Sequence, residues 1–434
     1  MLRLLGRIGF CLALAVLLAG PPAFATVCAL DPVPAATLLL PYFEVDLNRP
    51  DGVSTLLSVN NAGASAVLVN LVLWTDLGVP TASVPIYLTG YDVQTINLRD
   101  LFRGLSPGTA STGQDLSDLV SPKGAFSQDA DFASCAGLLP PPPMDAATLA
   151  HLVAAHTGQR SEALGGCAGR NLGDGLARGY VTLDTVRSCS LAVRYPTDPG
   201  YFTAGGLGRA TDQNALWGDY FLVDPRNNFS TGDQLVRLEA VPGRFGAGDT
   251  TFYGRMVGYS GADDREPLAS QWATRFVTGG AFRGGTDLVV WRDPERPGLV
   301  FDCAGGPTVV PGGWYPLFQN AYQIYDEKEH VAIPQAVIPP LPPCAACVVA
   351  TAPAAANRVQ VSGVNLPIPF NFGWMFFDFK NPLAVEDPHA QSYVVSIVTT
   401  PGRYAVQTTG TALDSSCTPK SCIPGTGVVC VGGN

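Results

Sequence analysis

The chain has 434 residues, 36 of them acidic and 26 basic, for a formal charge of −10. That balance argues against a nucleic-acid binder and against charge-driven adhesion to anionic lipid. Only 14% of residues are charged, while glycine and proline number 48 and 37, a composition of turn-rich, well-buried β structure rather than disorder.

Residues 1–25 read as a signal peptide. Arg3 and Arg7 give a basic start, Phe10 to Leu18 a short apolar core, and Ala23-Phe24-Ala25 a small-x-small cleavage pattern, so the mature chain is expected to begin at Thr26. The apolar run falls short of the roughly 20 residues of a spanning helix, and no transmembrane anchor is expected. The roughly 410 residues that remain exceed one ordinary core. They divide into an N-terminal β-sandwich over 26–266 carrying an insertion at 103–178, a second β-sandwich region over 267–414, and a Cys/Gly-rich tail at 415–434.

Ala35 to Asp46 reads as the first strand, stopped by Asn48-Arg49-Pro50-Asp51-Gly52. From Val53 to Leu98 strand periodicity and turn chemistry agree best. Val53, Thr55, Leu57 and Val59 alternate with polar residues, the period of a half-buried strand. Val67 to Trp74 is almost wholly apolar, which suits a central strand covered on both faces. Pro85 sends Ala82 to Leu88 to a sheet edge, because proline cannot donate to a ladder. Asp100-Leu101-Phe102 reads as a short turn packed on the end of the sandwich.

Alternation stops in the insertion, which holds the tetraproline 140–143 and one helix, N-capped by Asp145 and ended at Gly158, with Leu149, Leu152, Val153 and His156 on one face. Cys135 and Cys167 flank it. A bridge between them would close a small helical lobe, removable at no more than about 1–2 kcal/mol. Strands resume at Gly179 and continue through Tyr220 to Val223, Gln234 to Ala240 and Thr251 to Tyr259. Gly261 to Glu266 reads as a polar hinge, with Asp263, Asp264 and Glu266 a solvated acidic loop. In the second region Thr286 to Asp293 (TDLVVWRD) echoes Asn70 to Asp76 (NLVLWTD), and Trp74 and Trp291 read as core. Further strands are read at Tyr322 to Tyr325, Val331 to Ile333, Val359 to Val361, Gly373 to Phe379, Ser392 to Thr399 and Tyr404 to Thr409.

Cys11 leaves with the signal segment. The other ten, Cys28, Cys135, Cys167, Cys189, Cys303, Cys344, Cys347, Cys417, Cys422 and Cys430, are an even set in an exported chain and are expected to form disulfides. Cys344-Ala345-Ala346-Cys347 has redox spacing, but a proline-rich run precedes it and no βαβ pattern surrounds it, so a structural bridge is expected there too.

The segments Pro41 to Asp46 (PYFEVD), Leu73 to Pro80 (LWTDLGVP) and Tyr87 to Asp92 (YLTGYD) resemble motifs of a group of uncharacterised exported bacterial β-sandwich-like proteins. Trp217 to Phe221, Trp291 to Asp293 and Tyr325 to Glu327 fit the same resemblance. It implies export and a β architecture and transfers no catalytic residue.

Chemistry is sparsely signalled. There are four histidines, and His151 and His156 stand five apart, off a common helix face, so they do not form a two-histidine metal pair. No nucleophile elbow, zincin motif, P-loop or dinucleotide fingerprint occurs. Asp46, Asn48 and Asp51 place three oxygen side chains in one turn, hard donors of the kind calcium prefers, and are the candidate metal ligands; no other cofactor is indicated. Trp314 and Tyr315, in Pro311-Gly312-Gly313-Trp314-Tyr315-Pro316, are the candidate ligand platform. The expected protein is all-β, with Ig-like β-sandwich architecture in two regions, acting without catalysis as a secreted or periplasmic binding or structural component. Its partner would be a protein or glycan at the cell envelope. The competing expectation is a hydrolase using an Asp/Glu pair in a cleft between the two regions.

Overall fold

A computed structural model describes residues 32–107, 139, 141–190, 192–243, 251–253, 263–280, 283–293, 300–303, 322–332, 354–361, 368–379, 391–400 and 402–414. The first sandwich contains β1 (Thr37–Asp46), β2 (Ser54–Asn61), β3 (Val67–Thr75), β4 (Pro80–Leu88), β5 (Val93–Asn97), β6 (Leu176–Val186), β7 (Leu216–Trp217), β8 (Asp219–Asp224), β9 (Phe229–Gln234) and β10 (Val236–Leu238). Its helices are α1 (Leu98–Leu101) and α2 (Ala146–His156). The second contains β11 (Gln271–Val277), β12 (Gly285–Arg292), β13 (Tyr322–Tyr325), β14 (Val331–Ala332), β15 (Ala356–Gln360), β16 (Phe372–Asp378), β17 (Ser392–Thr400), β18 (Tyr404–Thr409) and β19 (Thr411–Ala412).

The sheets of the first sandwich run β10-β1-β6-β3-β4 and β5-β2-β8-β9, with β7 added to β2; those of the second run β14-β13-β16-β11-β19 and β15-β12-β17-β18. Neighbours pair antiparallel, as in β1 with β6 and β12 with β17. The all-β sandwich expectation stands, and β4, with its prolines, is an edge strand as read.

Register in β1 explains how one strand serves two cores. Leu38 and Leu40 enter the core between the sheets of the first sandwich. At Pro41 the pairing with β6 shifts between Leu40 and Phe43, and after that bulge Phe43 and Val45 take over the same core. A bulge adds one residue and flips the alternation. Tyr42 and Glu44 consequently point away from that core, toward the second sandwich. Fully burying one such large apolar side chain contributes about 1.5–3 kcal/mol, so this register is strongly specified.

The other face of the same sheet is covered as well. Leu39, Val72, Trp74 and Tyr180 join Val289, Trp291 and Val395 in one buried cluster, with β1 and β6 lying against β12 and β15. Trp74 stacks on Tyr180 at 5.5 Å, and Tyr180 meets the edge of Trp291 at 5.9 Å. The two echoing strands therefore deliver their tryptophans to one junction. Double coverage is why β3 reads as unbroken apolar sequence, every residue of it being buried.

Several expectations are corrected. The helical lobe is not an independent loop closed by its own cysteines: Cys167 bonds Cys303, and the backbones of Cys167 and Phe301 exchange hydrogen bonds of 2.9 and 3.0 Å. Nor is it decoration, since Leu152 of α2 is fully buried in the first core and His156 packs on Phe43 and Phe102. The helix itself is as read, with Asp145 accepting from the Thr148 amide at 2.7 Å. Burial pushes His156 down to about 4, so this ring is a neutral core residue, bonded to Thr81 and to the Arg178 carbonyl. β6 begins at Leu176, earlier than Gly179. β9 (FSTGDQ) was not expected, because an edge strand of polar residues carries no apolar period.

The segment Asp263 to Glu266 is not a solvated hinge. Asp263, Asp264 and Glu266 are at most 3% exposed. Arg265, itself 1% exposed, threads between them and the first sandwich. It donates to Thr37 of β1 at 3.0 Å, to Asp212 at 3.1 Å, and to the carbonyls of Thr211 and Asp263. The three carboxylates are received by backbone amides, Asp263 by those of Tyr253 and Arg265, Asp264 by that of Gly205 and Glu266 by that of Glu239. Thr251 to Tyr253 forms no strand, and the rest of that expected strand lies outside the described residues.

Candidate binding groove

Where the sandwiches meet, Glu44 of β1 reaches Arg358 of β15. Arg358 donates to Glu44 Oε2 at 2.9 Å and makes two contacts to Asp287 of β12, at 2.6 and 2.8 Å. On the other Glu44 oxygen, the Tyr42 hydroxyl donates at 2.6 Å and Arg178 of β6 at 3.3 Å, while Arg178 also grips Asp174. Both arginines are held above their ordinary range, the hydrogen bonds and charges of these acids outweighing the burial that acts to lower them. Burial, then the Glu44 charge, pushes the Tyr42 hydroxyl well up, so it remains a donor.

This ion pair divides two hollows that share Glu44 and Arg358. The larger, about 430 Å³, is an open groove walled by the β8–β9 turn of the first sandwich and the β17–β18 turn of the second. The smaller, about 380 Å³, lies on the Tyr42, Arg170 and Arg178 side. Both volumes fall in the range of about 300–1,000 Å³ typical of ligand sites.

Local sequence shapes each wall. In the β8–β9 turn, Asp224 caps a short 3-10 turn through Asn227, Pro225 starts it with its preset φ, and Asn228 closes it at φ 47°, a left-handed position that asparagine tolerates. The Asn228 amide then donates to the Gly402 carbonyl in the opposite turn at 3.3 Å. Behind it β9 and β18 are pinned side chain to side chain, by Thr231 with Gln407 at 3.2 Å and Thr409 with Asp233 at 3.2 Å. The groove is thus set by contacts already present without a ligand.

The candidate calcium turn forms another wall. Asp46 Oδ1 accepts from the amides of Asn48 and Arg49 at 3.0 and 3.1 Å, and Oδ2 takes the Arg49 guanidinium at 2.8 Å. Burial acts to raise Asp46, but the Arg49 side chain and the two amides prevail and hold it below the usual range. Gly52 is required by close approach, since a Cβ there would come within 2.3 Å of the Asp46 carboxylate. Asn48 stands against Gly175, and the Asp51 carbonyl accepts from Arg226. Both Asp46 oxygens are thus engaged by their own turn. Millimolar calcium is expected to leave the melting temperature unchanged; a rise that Asp46→Ala removes would show that calcium displaces Arg49.

Of the remaining sequence candidates, Trp314 and Tyr315 lie outside the described residues, as do Cys28, Cys135, Cys344, Cys347, Cys417, Cys422 and Cys430. Cys189 is disulfide-bonded, like Cys167 and Cys303. His151 is half-buried and bonds Ser161 at 2.7 Å. Among the described residues no helix is long and apolar enough to cross a membrane. Glu44, Arg178 and Arg358 were not singled out from sequence, although Glu44 and Arg178 are charges inside otherwise buried strands and so required partners. No protein-family model and no curated sequence matches the chain.

Proposed function

We propose that this is an exported, disulfide-stabilised binding protein of the cell envelope or medium, built on Ig-like sandwiches, whose ligand sits in the groove where they meet. One observation carries this reading: the groove's floor is an ion pair with one partner from each sandwich, and its walls are already fastened across the junction. A preformed concavity avoids the ordering cost of binding.

Hydrolysis is the weaker reading. It calls for two carboxyl groups flanking the bond to be cleaved, one of them held protonated. Of the groove's three carboxylates, Glu44 and Asp46 stand two apart on one strand and are both committed to arginines, and Asp224 is held by Asn227. The acids that burial pushes up, Asp184, Asp212 and Asp263, belong to the Arg265 cluster and line neither hollow. Hydrogen exchange on the secreted chain, with and without polysaccharide from its own envelope, tests the proposal. Joint slowing at 224–229 and 402–404 is the expected result.

A further inference from the structure

The lining of the groove specifies a ligand class. We propose that it binds a neutral saccharide, with a pyranose ring seated between Tyr404 and the amides of the β8–β9 turn; this rests on the groove being the binding site.

Charge is the first argument. The lining holds Glu44, Asp46 and Asp224 against Arg49, Arg226 and Arg358, a formal balance of zero. Glu44 and Asp46 are already satisfied by arginines, and Asp224 by Asn227. An anion or cation entering here would lose its hydration without meeting a net countercharge. A neutral polar ligand has no such penalty.

Hydrogen-bonding capacity is the second. Asn227, Asn228, Thr399 and Thr400 supply both donors and acceptors, the pattern that vicinal hydroxyls require. Arg226 and Asn227 are exposed at the rim, and Asn227 is anchored only from one side by Asp224.

Shape is the third. Tyr404 lines the groove with 40% of its surface exposed, an aromatic face against which the C–H face of a sugar can lie. Phe229 lies deeper, with the Arg358 guanidinium 5.7 Å from its ring centre, so it backs the floor and does not compete as the platform. An apolar body with a polar edge matches a pyranose, which has C–H groups on its faces and hydroxyls at its rim.

The test is a titration of the secreted protein with cellobiose, maltotriose and N,N′-diacetylchitobiose, set against galacturonate and inorganic phosphate, read by backbone chemical shifts. Variants are Tyr404→Ala, Tyr404→Phe, Asn227→Ala and, as a control on a distant exposed face, Trp217→Ala. At least one neutral saccharide is expected to bind, weakened at least tenfold by Tyr404→Ala and Asn227→Ala and held by Tyr404→Phe and Trp217→Ala. Binding of galacturonate or phosphate alone, with shifts in the groove, would overturn the saccharide assignment and leave the groove as the site. Saccharide binding lost in Trp217→Ala but kept in Tyr404→Ala would overturn both. No binding by any neutral saccharide overturns the inference.

Discussion

Arg265→Met is expected to lower the unfolding free energy by about 3–5 kcal/mol, the ordinary range for removing one partner from a buried ionic network. Arg265 is 1% exposed and ties Thr37 of β1 and the stretch Thr211–Asp212 to its own neighbour Asp263. Around it stand Asp184, bonded by Thr37, Tyr201 and Tyr253, and Asp212, bonded directly to the guanidinium. Methionine fills similar volume over the Phe202 ring, which the guanidinium now covers at 4.9 Å, but leaves these acids without their cation.

The loss should depend on pH, with a definite sign. Burial raises Asp212 and Asp263 to about 6 despite Arg265. A group whose folded value lies above the ordinary 3.9 contributes stability that is complete below about pH 4 and is lost as the pH rises through 6. Without Arg265 the acids hold their protons to still higher pH, so urea unfolding should show a smaller loss at pH 5 than at pH 8. A loss below about 1 kcal/mol at pH 8 would mean that Arg265 does not fasten the segment joining the two sandwiches.

Replacing Cys167 and Cys303 together with serine is the second large effect. The bridge closes a loop of 136 residues, for which the chain-entropy estimate is about 5 kcal/mol. It also fastens the segment after α2, where Ala168 accepts from Thr75 at 2.6 Å and Arg170 holds Asp76 at 2.5 Å, onto the chain that follows β12. The double variant is expected to unfold about 3–5 kcal/mol earlier in urea, with the melting temperature falling in step. A change within about 1 kcal/mol would indicate that the lobe is held by Leu152, His156 and Arg170 alone.

These three residues stand at the border of what was legible in the sequence. Strands such as β3 and β12 were legible because burial on both faces forces a continuous apolar run, and α2 because Asp145 and Gly158 mark its ends. β9 was not, since its hydrogen bonds are ladder bonds and its side chains are polar. The Cys167–Cys303 pairing was hidden by its separation, proximity in sequence having favoured Cys135. The run Asp263 to Glu266 has the composition of a solvated loop, and only the surrounding fold supplies the burial and partners that reverse that reading.

The groove was hidden for the same reason, as Glu44 and Arg358 lie 314 residues apart. Yet a signal was present. Glu44 sits between Phe43 and Val45, and Arg178 stands in the largely apolar β6, whereas Arg358 lies in the mixed stretch Ala356–Gln360. A charge in such a place must be paired, so Glu44 and Arg178 called for partners, while nothing in its own strand marked Arg358 as one of them.

That the two sandwiches build one binding site together is tested most directly by hydrogen exchange with ligand mapped along the whole chain. The groove reading predicts that envelope polysaccharide slows exchange in Asp224 to Phe229 of the first sandwich and in Gly402 to Tyr404 of the second, at the same ligand concentration. It also predicts no change on the exposed face carrying Leu56, Trp217 and Phe221. Protection confined to one sandwich, or centred on that exposed face, would contradict it.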